Sequence, residues 1–236
     1  MLMANLLDIL FPKYCVNCKK FGDFLCPNCF SRLSFDTKNI CLVCGKPSYD
    51  GITHPVCKGR NRIDGSFTGV VFNGISKKLI YQFKYKPYLS NLSFFLTDLL
   101  YESLIQNEEF NKILSLSKDD IVFVPIPLSA AKLRKRGYNQ AEILAKGLSR
   151  KFGFPCLNLL KRVRETKSQV GLNKKERKEN VSGAFEIINH KSLIINHNII
   201  LVDDVLTTGS TFSEASSVLK RGGVSKVWAV AFAREQ

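Results

Sequence analysis

The segment Ile199-Ile200-Leu201-Val202-Asp203-Asp204-Val205-Leu206-Thr207-Thr208-Gly209-Ser210-Thr211 constrains the fold more than any other part of this chain. Its first four residues are an unbroken apolar run, the pattern of a short strand buried on both faces. Such strands belong to parallel sheets, whose ligands sit beyond the carboxyl ends of the strands. Here that place carries two adjacent carboxylates, then Thr-Thr-Gly-Ser-Thr at the start of a helical pattern. Ionised carboxylates only accept hydrogen bonds, so the paired hydroxyls of a ribose suit them as donors, and a nearby divalent metal would tolerate the charge. The hydroxyls and N–H groups of the turn can surround a phosphate, and the helix dipole favours the anion. Gly209 lets the backbone turn tightly against it. Helix capping alone accounts for one or two of the hydroxyls, but not for an acid pair at a buried strand end. No G-x-x-x-x-G-K-[ST] occurs, which excludes a P-loop kinase or ATPase as a close reading.

The rest of the chain supplies a sheet for that strand. Ser66 to Phe72, Asp119 to Ile126 and Val224 to Phe232 read as further strands. Apolar spacing predicts helices over Ser76 to Lys84, Ser90 to Ile105, Gln140 to Phe152 and Gly209 to Lys220. Gly153 and Pro155 stop the third, and Gly222-Gly223 closes the last. Strands alternating with helices predict an α/β fold with a parallel sheet covered on both faces. Hydrophobic residues make up 45% of 236 positions and charged residues 23%, which permits a packed core and argues against wholesale disorder.

Seven of the eight cysteines precede residue 60, which divides the chain into a head, residues 1–62, and a body, residues 63–236, with a linker over residues 58–65. The head reads Cys15-x-x-Cys18, Cys26-x-x-Cys29, Cys41-x-x-Cys44 and His54-x-x-Cys57. A C-x-x-C turn aims two thiolates at one ion, and two such turns complete a tetrahedron of soft ligands, which suits zinc. In sequence order, Cys15, Cys18, Cys26 and Cys29 form one site. Cys41, Cys44 and Cys57 form a second, with His54 standing where a fourth pair would begin. A cross-braced pairing, a second site lacking its histidine and a disulfide framework are the alternatives. Both sites read as structural, and metal should supply much of the stability of so short a segment. Such heads contact a partner or support their own body.

Met1 to Pro12 is apolar but short, carries Asp8 and has no basic leader, which predicts a short packed helix rather than a signal peptide. No apolar run approaches the roughly 18 residues of a membrane span. With thiols kept reduced for metal binding, these features predict a cytoplasmic protein.

The formal net charge is +15, an excess that favours an anionic partner. Residues 130–180 hold fifteen basic and four acidic side chains, a net of +11. Two to four cations suffice for a diphosphate ligand. The remainder suits a nucleic-acid track, for which Lys132, Arg134, Lys135, Arg136, Lys167, Lys174 and Arg177 are the candidates. A solvated helix face accounts for part of the belt, such as Lys174 to Glu179. Tyr81, Tyr85, Tyr88 and Tyr138 are aromatic residues able to stack bases, scattered in sequence.

The apolar strand, Asp-Asp, two apolar residues and Thr-Thr-Gly resemble the 5-phosphoribosyl-1-diphosphate motif of type I phosphoribosyltransferases, with Ser210 where many carry a second glycine. The double ribbon, Val124-Pro125-Ile126-Pro127-Leu128, Leu133 to Ala141, Gln169-Val170-Gly171-Leu172, Arg177, Asn180-Val181, Gly183-Ala184-Phe185 and Phe83-Lys84-Tyr85 together resemble the ComF family; His54 departs, because a cysteine is usual there. That resemblance implies a parallel-sheet type I phosphoribosyltransferase fold behind a small zinc ribbon module. It implies that Asp203 and Asp204 hold ribose hydroxyls, the latter with Mg2+, and that Val205, Leu206, Thr207, Thr208, Gly209, Ser210 and Thr211 surround the 5-phosphate. Arg134 and Arg136 would lie near the pyrophosphate, and Arg164 to Gly183 would form a hood. It further implies a role in uptake of single-stranded DNA during natural transformation, with a helicase-like or recombination protein as partner. The competing expectation is an active phosphoribosyltransferase that moves ribose 5-phosphate to an unidentified base.

Overall fold

The computed structural model describes residues 13–85, 90–116, 120–165, 174–188 and 197–236. The predicted helix before Pro12, together with Tyr88, Lys167 and Gln169 to Leu172, lies outside them. The strands are β1 (Gly65–Val71), β2 (Ile121–Pro125), β3 (Leu160–Arg162), β4 (Phe185–Ile187), β5 (Asn198–Leu206) and β6 (Lys226–Arg234). The α-helices are α1 (Pro27–Phe30), α2 (Gly74–Tyr85), α3 (Ser90–Ile105), α4 (Glu108–Leu116), α5 (Ala130–Arg136), α6 (Gln140–Phe152), α7 (Lys174–Val181) and α8 (Ser210–Arg221).

Four strands form one parallel sheet in the order β1-β6-β5-β2, and β3 pairs with β4 in a separate antiparallel ribbon. Ile199, Ile200, Leu201 and Val202 are fully buried, as an apolar run without alternation requires. One sheet face packs under α2 and α3, through residues such as Leu79, Phe83, Leu96 and Leu100. The other packs under α8, through Phe212, Ala215 and Leu219. The predicted parallel α/β architecture is therefore observed.

Several boundaries differ from the sequence expectation. The central strand continues past Val202 to Leu206, so the acid pair lies inside the strand end rather than beyond it. The cause is the neighbour: β6 runs to Arg234, and its ladder pairs Asp203 with Ala231 and Leu206 with Arg234. Helices α4 and α5 and strands β3 and β4 carry too short or too polar a pattern to be read in advance.

The head is packed into the body. Cys15, Val16, Phe24, Leu25 and Leu33 share the core formed with α2 and α3, while Leu42 and Ile63 share the other. The carboxylate of Asp64 accepts the Val227 N–H at 2.8 Å and pairs with the buried Lys220 ammonium at 2.6 Å. Only residues 58–62 of the expected linker are exposed, because Ile63 is already buried.

Candidate ligand cleft and metal centres

A cavity of about 440 Å³ opens where β2 and β5 end. Asp203 and Asp204 both line it. Successive strand side chains point to opposite faces, so the two carboxylates meet different partners. Asp204 is buried and its Oδ1 lies 2.8 Å from the Lys84 ammonium on α2. Asp203 lies within the charge field of Arg162, from β3, and of Lys132, from α5. Its Oδ1 also accepts the Asp204 N–H at 2.8 Å.

Burial pushes the Asp203 carboxyl up to about 7, and the neighbouring Asp204 charge adds to the rise. The Asp204 N–H, Lys84 and Arg162 oppose it. Burial likewise lowers the Lys132 ammonium, helped by Arg162, Arg136 and Lys84, while Asp203 offsets part of the effect. These are the signatures of four cations crowded around a largely dehydrated acid pair.

Helix periodicity explains which cations arrive. Ser129 caps α5, its hydroxyl accepting the Lys132 N–H at 3.4 Å. Lys132 and Arg136, four residues apart, share one face of α5 and line the cavity. Arg134 and Lys135 are exposed and do not line it. Arg136 also donates to Gln140 Oε1 at 3.0 Å. Lys84 and Arg162 line the cavity although sequence reasoning gave neither a role in the site. The signals were present, in Phe83-Lys84-Tyr85 and in the basic belt, but nothing in one dimension places them opposite the acids. Lys174 and Arg177 lie on α7, and their side chains are outside the described residues.

Val205, Leu206, Thr207, Gly209, Ser210 and Thr211 line the cavity; Thr208 does not, and its hydroxyl lies 2.9 Å from that of Ser210. Gly209 has φ +75°, a conformation that disfavours any side chain. A Cβ there would also stand 2.9 Å from a methyl of Leu42, the residue after Cys41. The second metal turn of the head therefore lies directly behind the loop. At the ends of the segment from Arg164 to Gly183, Arg164 donates to the carbonyls of Glu179 and Asn180, and the Gly183 N–H donates to Glu214 on α8.

In the head, one ligand atom from each of Cys15, Cys18, Cys26 and Cys29 lies within 4.8 Å of the others, and the same holds for Cys41, Cys44, His54 and Cys57. This is the sequence-order pairing. His54 turns Nδ1 toward Cys44 Sγ at 3.4 Å, while Nε2 lies 2.9 Å from the Pro47 carbonyl. That second contact fixes Nε2 as the protonated nitrogen and leaves the Nδ1 lone pair for a metal. All-thiolate and three-thiolate, one-imidazole sets both fit zinc.

Residues 6–59 match the family model described as a double zinc ribbon domain, and residues 134–236 match the phosphoribosyl transferase domain. Over 111 residues the chain is 42% identical to "Competence protein F" of Haemophilus influenzae, covering 46% of this chain and 48% of that protein. It is 28% identical over 209 residues to "Competence protein ComFC" of Bacillus subtilis, covering 84% and 79%. A "DNA utilization protein YhgH" from Salmonella typhi is 34% identical over 107 residues, covering 44% and 45%. The matches thus span about half the length of the first and third relatives and more than three quarters of the second.

Proposed function

Because the chain belongs to the ComF family, with a double zinc ribbon ahead of a phosphoribosyltransferase domain, we propose that its cleft binds 5-phosphoribosyl-1-diphosphate or a related phosphoribosyl group in the service of single-stranded DNA uptake. The observation that carries this reading is the convergence in one cavity of the acid pair, the hydroxyl loop and the cations Lys84, Lys132, Arg136 and Arg162. A 5-phosphate would rest on Thr207 to Thr211, ribose hydroxyls would donate to Asp203 and Asp204, and the cations would face the diphosphate. Lys84 would exchange its pairing with Asp204 for the ligand's oxygens. Magnesium, when bound with the ligand, would neutralise the diphosphate charge beside the acid pair.

The DNA role draws on the printed names of the relatives, competence and DNA utilization, and on the belt over residues 130–180. Arg134 and Lys135 stand outside the cleft and are free to meet a strand's phosphates. The reduced thiols that the two metal sites need place the protein in the cytoplasm on this reading. No helix among the described residues is long and apolar enough to cross a membrane. The exposed side of the head, with Phe21 and Tyr49, would meet a helicase-like or recombination partner.

Titration calorimetry with 5-phosphoribosyl-1-diphosphate and magnesium tests the ligand. Binding by the parent that is lost in Asp203→Ala and Asp204→Ala supports it, and no heat from the parent rejects it. A second reading, transfer of ribose 5-phosphate, is favoured by the raised Asp203 carboxyl, which can exchange a proton near neutral pH. The acceptor's lone pair would form a bond to the anomeric carbon as the bond to pyrophosphate breaks, and pyrophosphate would leave with its electron pair. Pyrophosphate release over a panel of nucleobases checks this.

A further inference from the structure

We propose that Tyr81 and Tyr85 form a base-stacking platform for single-stranded nucleic acid on the rim of the cleft, a site that rests on the nucleic-acid reading above. The two rings lie one helical turn apart on α2, with centroids 4.9 Å apart and planes inclined by 48°. They are 62% and 50% exposed, unusual for two large aromatic residues side by side. Pairing for the helix's own sake stabilises it only slightly and requires no such exposure. Tyr138 offers no such face: it is partly buried and its hydroxyl donates to the Phe83 carbonyl.

The platform is continuous with the charged cleft. Lys84, on the same helix, reaches Asp204 inside the cavity, and Tyr85 is the next residue, about 100° around the helix. Arg136 bridges the two surfaces: it lines the cavity, and its guanidinium sits over the Tyr85 ring, 5.5 Å from the centroid. One cation therefore faces both an aromatic ring and the cleft that holds the acid pair. Single-stranded nucleic acid has that alternation of flat bases and anionic linkers, and stacking tolerates any base. The +11 belt, which includes Arg136 and the exposed Arg134 and Lys135, supplies the charge complementarity.

The test is fluorescence anisotropy with a labelled oligothymidylate and an abasic strand of equal length and phosphate count, at one fixed salt concentration. The zinc-loaded full chain should bind the oligothymidylate about tenfold more tightly than the abasic strand, the scale of one stacked base. The double variant Tyr81→Ala/Tyr85→Ala should lose that preference while keeping its affinity for the abasic strand. Tyr81→Phe/Tyr85→Phe should retain the preference, since the ring survives. A parent that binds both strands equally, or an alanine variant that keeps the preference, overturns the platform but leaves phosphate tracking standing. A parent that binds neither strand overturns the nucleic-acid reading and the platform with it.

Discussion

At the scale of single residues, Asp203 carries the clearest consequence. Its carboxyl sits near pH 7 in the folded protein, against about 3.9 for a free Asp. The folded state thus holds a proton that the unfolded state has released across the window between those values. Stability from this group is greatest at the acid end of the window, falls as pH rises from about 4 to about 7, and is flat above. Asp203→Asn removes the effect. The parent-minus-variant difference in melting temperature should therefore decline through that window, by a few degrees. Thermal melts at matched ionic strength read it. A cation or hydroxyl-bearing ligand must displace that proton, so its affinity should rise with pH through 7. The acids were legible because they are adjacent to one another and to a buried run. Lys84 was not, because its partner is distant in sequence and a lone lysine on an amphipathic helix reads as solvated.

At the scale of elements, α5 separates the basic residues that one dimension had grouped. Four cations within five positions, Lys132, Arg134, Lys135 and Arg136, look alike as sequence; a helical period sends Lys132 and Arg136 inward and the others out. Arg136→Ala should weaken phosphoribosyl diphosphate binding about tenfold or more, and Arg134→Ala should leave it unchanged. Arg134→Ala should instead reduce the salt slope of single-stranded DNA binding by about one. Calorimetry and salt-dependent anisotropy separate the two. The antiparallel ribbon of β3 and β4 is not legible in the sequence, because three-residue strands leave too little periodicity to read.

The second element of consequence is the turn between Cys41 and Cys44. Leu42 is buried against Gly209, so the turn that carries two of the metal-site cysteines backs the loop from Thr207 to Thr211. Leu42→Ala should cost about 3 kcal/mol of stability through the void it leaves. It should also weaken phosphoribosyl diphosphate binding while zinc content stays at the parent level. Chemical denaturation, calorimetry and metal analysis on one preparation read all three. Spacing alone announces the metal ligands; that one ribbon turn lies behind Gly209 is tertiary information, present only in the packing of head against body.

At the scale of the whole molecule, head and body share both hydrophobic cores, and the Asp64 carboxylate anchors the chain between them to Lys220 and β6. The ribbon is thus part of what shapes the cleft. On the proposed reading, one molecule combines a cleft for a phosphoribosyl group with cations and aromatic rings on its rim suited to a strand. The proposed function rests on the strand end and loop from Asp203 to Thr211 holding a phosphoribosyl group. The most direct measurement is a crystal structure of the zinc-loaded chain with 5-phosphoribosyl-1-diphosphate and magnesium. The expected density shows the 5-phosphate against Thr207 to Thr211, the ribose hydroxyls within hydrogen-bonding distance of Asp203 and Asp204, and Lys84 released from Asp204. A ligand bound elsewhere, or one whose sugar avoids the acid pair, would contradict it.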